Sequence, residues 1–542
     1  MNQSPLPLTK ALSCCLLTLG FSVVFLIYGP VSKIHAGTEL PHPTYTWSLG
    51  PADGNWNNAA NWNPTGIPDD QSERAVFGPS STTAIATTGA GVHSIEFDSG
   101  ASSYTITGNF VFNGGGVFNN SGIEQTFSGS FTFQKGATAT SLVTFVDSSI
   151  GFARTETSGT GCSAGSATYI NPTHIGFSTR STAGEATILD NHNTIRFDKA
   201  DAGSATLVNS GGTIFGGAGG LIKFRKSGAS SSTIINNGGA VFGGHGAQLT
   251  FHKSGADSAT LIANGGAGPG SGASIIFSSE SSGDTARVEV FGNGNLDISR
   301  QGIPSISIGS LEGNGLVFLG SNSLGAGTNN LNTTFAGVIS DTGGIVNGSG
   351  GQFNKSGTGT LTLTNANTYT GGTTIGSGSL FVNNTTGSGT GTGEVQANSG
   401  TFGGAGIVGG PVVIGSGAGS GAVLSPGASA DVIGVFTLLD TLTFHSDGAF
   451  EVQLDSTAVT ADQVIVQGAT IDFGAQITVS DLSSSTLPAG TSFTIIDNSG
   501  ATAIVGAFSN LPDGGTLTVG SNTFAADYGG GDGNDLTLTV VP

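Results

Sequence analysis

Along most of the chain, apolar and polar residues alternate one by one in short runs that end at glycine, serine or asparagine. Tyr104 and Ile106, Phe131 and Phe133, Leu361 and Leu363, Phe450 with Val452 and Leu454, and Leu536 and Leu538 are each separated by a single polar or small residue. Side chains alternate across a strand, so this period of two predicts strands with one buried face. No stretch past the first 36 residues combines the helical period with strong helix formers, while Thr, Val, Ile and Phe, which suit strands, are plentiful. The predicted class is all-β, with strands joined by glycine-rich turns.

The runs also repeat over a longer period. SATYIN starts at Ser166, EATILD at Glu185, SATLVN at Ser204, SSTIIN at Ser231 and SATLIA at Ser258, which places the central residue at Thr168, Thr187, Thr206, Thr233 and Thr260. A second half repeats too: GGTIFGGAGGLIKFRKSGA from Gly211 aligns with GGAVFGGHGAQLTFHKSGA from Gly238. Steps of 19 or 27 residues carrying two or more short strands suit one coil of a parallel β-helix, with extra residues held in turns. Stacking such coils about 4.8 Å apart sets like over like. The spacing predicts an inward ladder of Phe197, Phe224, Phe251 and Phe277, and a polar corner ladder of Asn171, Asp190, Asn209 and Asn236.

Composition strengthens this reading. Of 542 residues, 93 are Gly and only 9% are charged, which is unlike an average helical enzyme. Disorder is the rival for so much Gly and Ser, but the chain is 37% hydrophobic and its apolar residues are patterned. Residues 1–36 stand apart: Lys10, then an apolar run from Ala11 to Tyr28, then a short polar stretch ending at Ala36 read as a signal peptide, with an uncleaved anchor as the alternative. Its cleavage would remove Cys14 and Cys15 and leave Cys162 alone, with no internal disulfide and no membrane span. The remainder divides into a Trp/Asn-rich cap segment over 37–78, a solenoid over 79–350, a Gly/Thr-rich repeat region over 351–430 and a strand-rich segment over 431–542. The net charge of −20 opposes binding to nucleic acid or anionic membranes.

The stretch from Lys355 to Phe381 has a Lys-x-Gly-x-Gly-x-Leu-x-Leu opening over Lys355–Leu363 and an Asn-x-Tyr-x-Gly-Gly-Thr centre over Asn367–Thr373. It resembles the repeat of secreted proteins with autotransporter-associated β-strand repeats. The Trp-Asn segment GNWNNAANW, the turn Ser425-Pro426-Gly427 and the closing YGGGDGNDLTLTV are similar to that family as well. The resemblance implies a right-handed parallel β-helix, passenger-like and secreted or displayed at the cell surface. The family's translocator barrel has no counterpart in the sequence before Pro542.

Chemistry is sparse. β-Helix polysaccharide hydrolases need converging carboxylates, and the only adjacent pair, Asp69-Asp70, lies in a Pro-Asp-Asp turn. GGDGND over 530–535 is a single off-register copy of a calcium repeat, with Thr537 where a large apolar residue belongs. Cys162 has no accompanying protease pattern. No catalytic residue, metal or cofactor is therefore expected. The one notable cluster is basic: Lys199, Arg225, Lys226, His252 and Lys253 follow the ladder phenylalanines, with Arg196 and Lys223 nearby. They are the candidate binding residues, for a polysaccharide or for surface and matrix components, set against a plain solvated edge neutralised by Asp198, Asp201 and Asp257. The expected function is an exported, non-enzymatic structural or adhesive solenoid. The alternatives are a carbohydrate-binding surface protein, using this edge or the Trp segment, and a β-helix polysaccharide lyase or hydrolase.

Overall fold

The computed structural model describes residues 41–153, 161–419, 421–429 and 431–542; residues 1–36, read above as a signal peptide, lie outside them. Residues His42–Pro542 form one unit. Its strands make a 40-stranded, almost wholly parallel sheet and a second sheet of seven strands. The only helical turn among the described residues is a 3-10 turn over Ala59–Asn61. The sheet winds as a parallel β-helix solenoid. No helix among the described residues is long and apolar enough to cross a membrane.

One coil shows how the sequence builds the whole. Thr206–Asn209 forms the first side, a loop follows, Leu221–Arg225 forms the second side, and a single bridging residue, Gly228, marks the third. The coils before and after repeat this plan. Thr168, Thr187, Thr206, Thr233 and Thr260 pair in direct succession, as the spacing predicts. The third side is only a column of bridges, Ser163, Thr182, Asp201, Gly228, Gly255 and Ser282. Farther along it widens into strands such as Ser323–Ala326, Gln352–Lys355 and Thr373–Ile375. The turn into the first side needs left-handed backbone. Gly165, Gly184 and Gly203 supply it with φ of 66°, 63° and 62°, and a Cβ on Gly203 would sit 2.4 Å from the Gly184 carbonyl oxygen.

The core is a column of stacked side chains. Phe197, Phe224, Phe251 and Phe277 are fully buried, with ring centroids 4.5, 5.0 and 4.7 Å apart in succession. The ladder is longer than the repeat indicates, because Phe112, Phe133, Phe152 and Phe177 continue it at 4.6–4.8 Å. The spacing of the rings follows the spacing of the strands, since each ring stands on the equivalent position of the next coil.

The polar ladder differs from the expected one. A bulge between Ile188 and Asn191 shifts the register by one residue, so Asn191 and not Asp190 pairs with Asn209. The buried ladder is Asn191, Asn209 and Asn236, linked amide to amide at 2.7 and 2.9 Å. Asn171 and Asp190 sit outside it with left-handed backbone, at φ of 46° and 55°. An inward Asp would bury a charge with no cation beside it, and the bulge avoids that cost.

The two ends are closed differently. At the first, Trp47, Trp56 and Trp62 point inward and pack edge to face at 5.0 and 4.8 Å, and each indole N–H donates to a backbone carbonyl. No indole face is open, which speaks against the Trp segment as the carbohydrate-binding surface considered above. At the other end the parallel run Ile407–Val408, Val435–Leu438, Gln463–Val466 and Ser492–Asn498 meets the antiparallel strands Asp535–Val541, Asn522–Gly530 and Thr516–Val519. Far-UV circular dichroism of the chain from residue 37 onward is expected to show β-structure with helix below about a tenth of residues; helix above about a fifth would contradict the solenoid.

Candidate functional site

The basic edge lies where the second side turns into the third. Alternation aims Ile222 and Phe224 inward and leaves Lys223 and Arg225 outside; in the next coil Leu249 and Phe251 are buried while His252 is exposed. Register stacks these outer residues across coils: Asp198, Arg225, His252 and Ser278 form one row, and Arg196, Lys223, Thr250 and Ile276 the next. Lys199, Lys226 and Lys253 come one residue beyond the strands, at the corner itself. All three are exposed and share left-handed backbone, with φ of 54°, 51° and 51°. The same corner conformation recurs at Lys135 and Arg180, with φ of 51° and 66°. Lys135, in Phe133-Gln134-Lys135, was missed in the sequence because it lies ahead of the repeats that begin at Ser166, and Arg180 because it stands three residues after Phe177 and not two.

The expected neutralisation by aspartates is only partly present. Asp198 pairs with Arg196 at 2.8 Å, and Lys253 lies 3.9 Å from Glu280. Asp201 and Asp257 do not serve the edge. Asp201 accepts hydrogen bonds from the Gly203 N–H and the Ser230 hydroxyl, and Asp257 accepts from the Ser230 N–H, so both stabilise the turn on the far side of the third column. Lys199, Lys223, Arg225 and Lys226 have no carboxylate in ion-pair reach among the described residues.

A second feature was hidden because phenylalanine reads as core. The extra residues of the 27-residue coils form stacked loops, in which the Gly212 and Gly216 N–H groups donate to the carbonyls of His245 and Gly243 at 2.8 and 2.9 Å. On these loops Phe215 and Phe242 are 78% and 69% exposed. A Cβ on Gly243 would meet the Phe215 ring at 2.4 Å, so glycine there makes room for the ring.

The other chemical candidates are occupied by structural work. The Asp70 carboxylate accepts from the Ser72 N–H and hydroxyl at 2.9 and 2.6 Å, which holds its pKa below the ordinary value and closes a turn. Cys162 is fully buried, its thiol pushed up by desolvation and donating to the Phe133 carbonyl; a buried thiol is a poor nucleophile. GGDGND forms the tip of the last hairpin, with Gly530 paired to Asp535 and the Asp535 carboxylate accepting from the Asn498 N–H. No three His, Cys, Asp or Glu side chains among the described residues converge to hold a metal ion.

The motif from Lys355 onward is structural in every part. Leu361, Leu363, Ile375, Leu380 and Val382 fill the core. Asn367 is buried and bridges two neighbouring coils, accepting from the Ile339 N–H at 2.7 Å and donating to the Gly389 carbonyl at 2.6 Å. Tyr369 is sealed inside with its hydroxyl on Thr373. The Lys355 ammonium is drawn inside and donates to the carbonyls of Ser356, Gly357 and Ser377. Gln352–Lys355 pairs with Thr373–Ile375 and Thr360–Leu363 with Ser379–Val382, which makes two sides of two successive coils. No match to a curated protein was found. Residues 353–382, the span of these strands, match the sequence model of the passenger-associated-transport-repeat, a repeat of exported passenger segments.

Proposed function

We propose that the chain works outside the cell or at its surface as a non-enzymatic structural or adhesive solenoid. The observation that carries this reading is the passenger-associated repeat at 353–382, lying in register with the parallel strands before and after it. Such a repeat implies an exported protein. Each motif residue is spent on packing, turn geometry or backbone hydrogen bonding, which suits a rod whose task is to be long and rigid. Backbone bonding from coil to coil gives that rigidity without disulfides.

The reading is tested by expressing the full chain with a C-terminal epitope tag and following it by cell fractionation and by protease shaving of intact cells. The expected result is tag in the medium or on the surface, an N-terminus near residue 37, and no unsaturated uronides or new reducing ends released from pectin or alginate. Retention in the cytoplasm would remove the surface reading, and product release would replace it with a polysaccharide lyase or hydrolase.

A further inference from the structure

More than half of the chain's 15 Lys and Arg residues, namely Lys135, Arg180, Arg196, Lys199, Lys223, Arg225, Lys226 and Lys253, fall on one side and corner of the solenoid, although acids outnumber bases 35 to 15 over the whole chain. Stacking holds Lys199, Lys226 and Lys253 in one row at the interstrand spacing of about 4.8 Å, where like charges repel. Their left-handed backbone is a conformation that glycine adopts freely and lysine does not. This chain places Gly at many other left-handed positions and has 93 to draw on, yet it puts a cation at this corner in coil after coil. Internal ion pairing does not call for the ammonium groups of Lys199 and Lys226, which face no carboxylate among the described residues while the nearby Asp201 and Asp257 are engaged in turns.

We infer that this edge is a binding site for a linear anionic polysaccharide, a polyuronate or sulfated glycan, lying along the solenoid axis across successive coils. The inference rests on the surface reading above, which puts the edge where such polymers are met. The corner row supplies a charge at each coil, and the neighbouring row with Arg225 and His252 supplies further donors one step along the strand. A carboxylated or sulfated chain accepts charge-assisted hydrogen bonds from such a row one after another. A narrow single chain fits a narrow stripe. A duplex nucleic acid or a membrane would also bring its charge against the acidic remainder of the protein, where repulsion opposes contact.

The test uses the exported full-length protein and immobilised polygalacturonate, alginate and heparin, with dextran, double-stranded DNA and phosphatidylserine vesicles as comparisons. Binding to the acidic glycans is expected at about 50 mM salt and should weaken at least about tenfold at about 500 mM, as screening shortens the reach of exposed charges. The triple variants Lys199→Gly/Lys226→Gly/Lys253→Gly and Arg225→Gln/Lys226→Gln/Lys253→Gln should each lose about tenfold or more of the affinity while keeping the wild-type urea midpoint, the glycine set because it fits the backbone already present. Absence of binding at low salt, equal binding by both variants, or tighter binding to DNA or to vesicles would each overturn the assignment. A protein that is exported but binds no acidic glycan removes the stripe alone and leaves the surface reading intact.

Discussion

Replacing Phe224 with Asp is expected to melt the coils around it and to be among the most damaging single changes in the molecule. The ring is fully buried and lies between Phe197 at 4.5 Å and Phe251 at 5.0 Å. Removing a buried aromatic ring costs about 3–5 kcal/mol. The carboxylate that replaces it would have no cation or donor inside the column and adds several kcal/mol more, of order 2–7. Coils stabilise only their neighbours, so the damage should remain local. Hydrogen exchange should become fast over strands Thr194–Asp198, Leu221–Arg225 and Gln248–His252, while the tryptophan end near Trp56 stays protected. Phe251→Asp should behave alike, and Phe224→Leu should cost far less, about 1–2 kcal/mol. An unchanged urea midpoint for Phe224→Asp would show that the ladder does not carry the stability assigned to it.

The second large effect concerns Lys355. Its ammonium is buried, faces three backbone carbonyls and no carboxylate, and burial pushes its pKa down to about 8. The unfolded chain keeps the ordinary lysine value near 10.5. Between those two values the unfolded state holds more protons than the folded state, so stability rises with pH through the window and is lowest below it. From about pH 7 to about pH 9.5 the unfolding free energy should rise by about 2 kcal/mol from this group. Buried Tyr104 and Tyr528 stay protonated there because burial lifts both to about 12. Lys355→Met should remove the rise; at pH 7 the carbonyls lose their donor but the buried charge is removed as well, so the two effects oppose each other and stability there should stay within about 2 kcal/mol of wild type. Urea titrations of both proteins at the two pH values decide the matter. A Met variant that keeps the rise would refute this role for the lysine.

The basic edge was legible as a cluster but not as a device. Reading along the chain shows Arg225-Lys226 and His252-Lys253 after the phenylalanines. It does not show that each lysine sits at a left-handed corner, that Lys135 and Arg180 share the conformation, or that Asp201 and Asp257 turn away to other partners. Those facts depend on how a coil closes, and closure is decided by residues from neighbouring coils. The exposed Phe215 and Phe242 escaped for a related reason: composition makes phenylalanine a core residue, and only the stacking of the inserted loops leaves these two outside.

The amino-acid sequence by itself determined the all-β class, the solenoid, the register of Thr168 through Thr260 and the phenylalanine ladder. Period two and a repeated coil length are properties of the chain that survive folding unchanged, since equal coils can stack only with like positions aligned. Tertiary structure alone decided that Asn191 and not Asp190 enters the buried amide ladder, and that the three tryptophans plug the end of the rod and do not face solvent. In both cases one residue of slippage or one bend of the chain reverses which way a side chain points. The direction is then chosen by which group has a partner inside: the amides and indoles find one, and the aspartate does not.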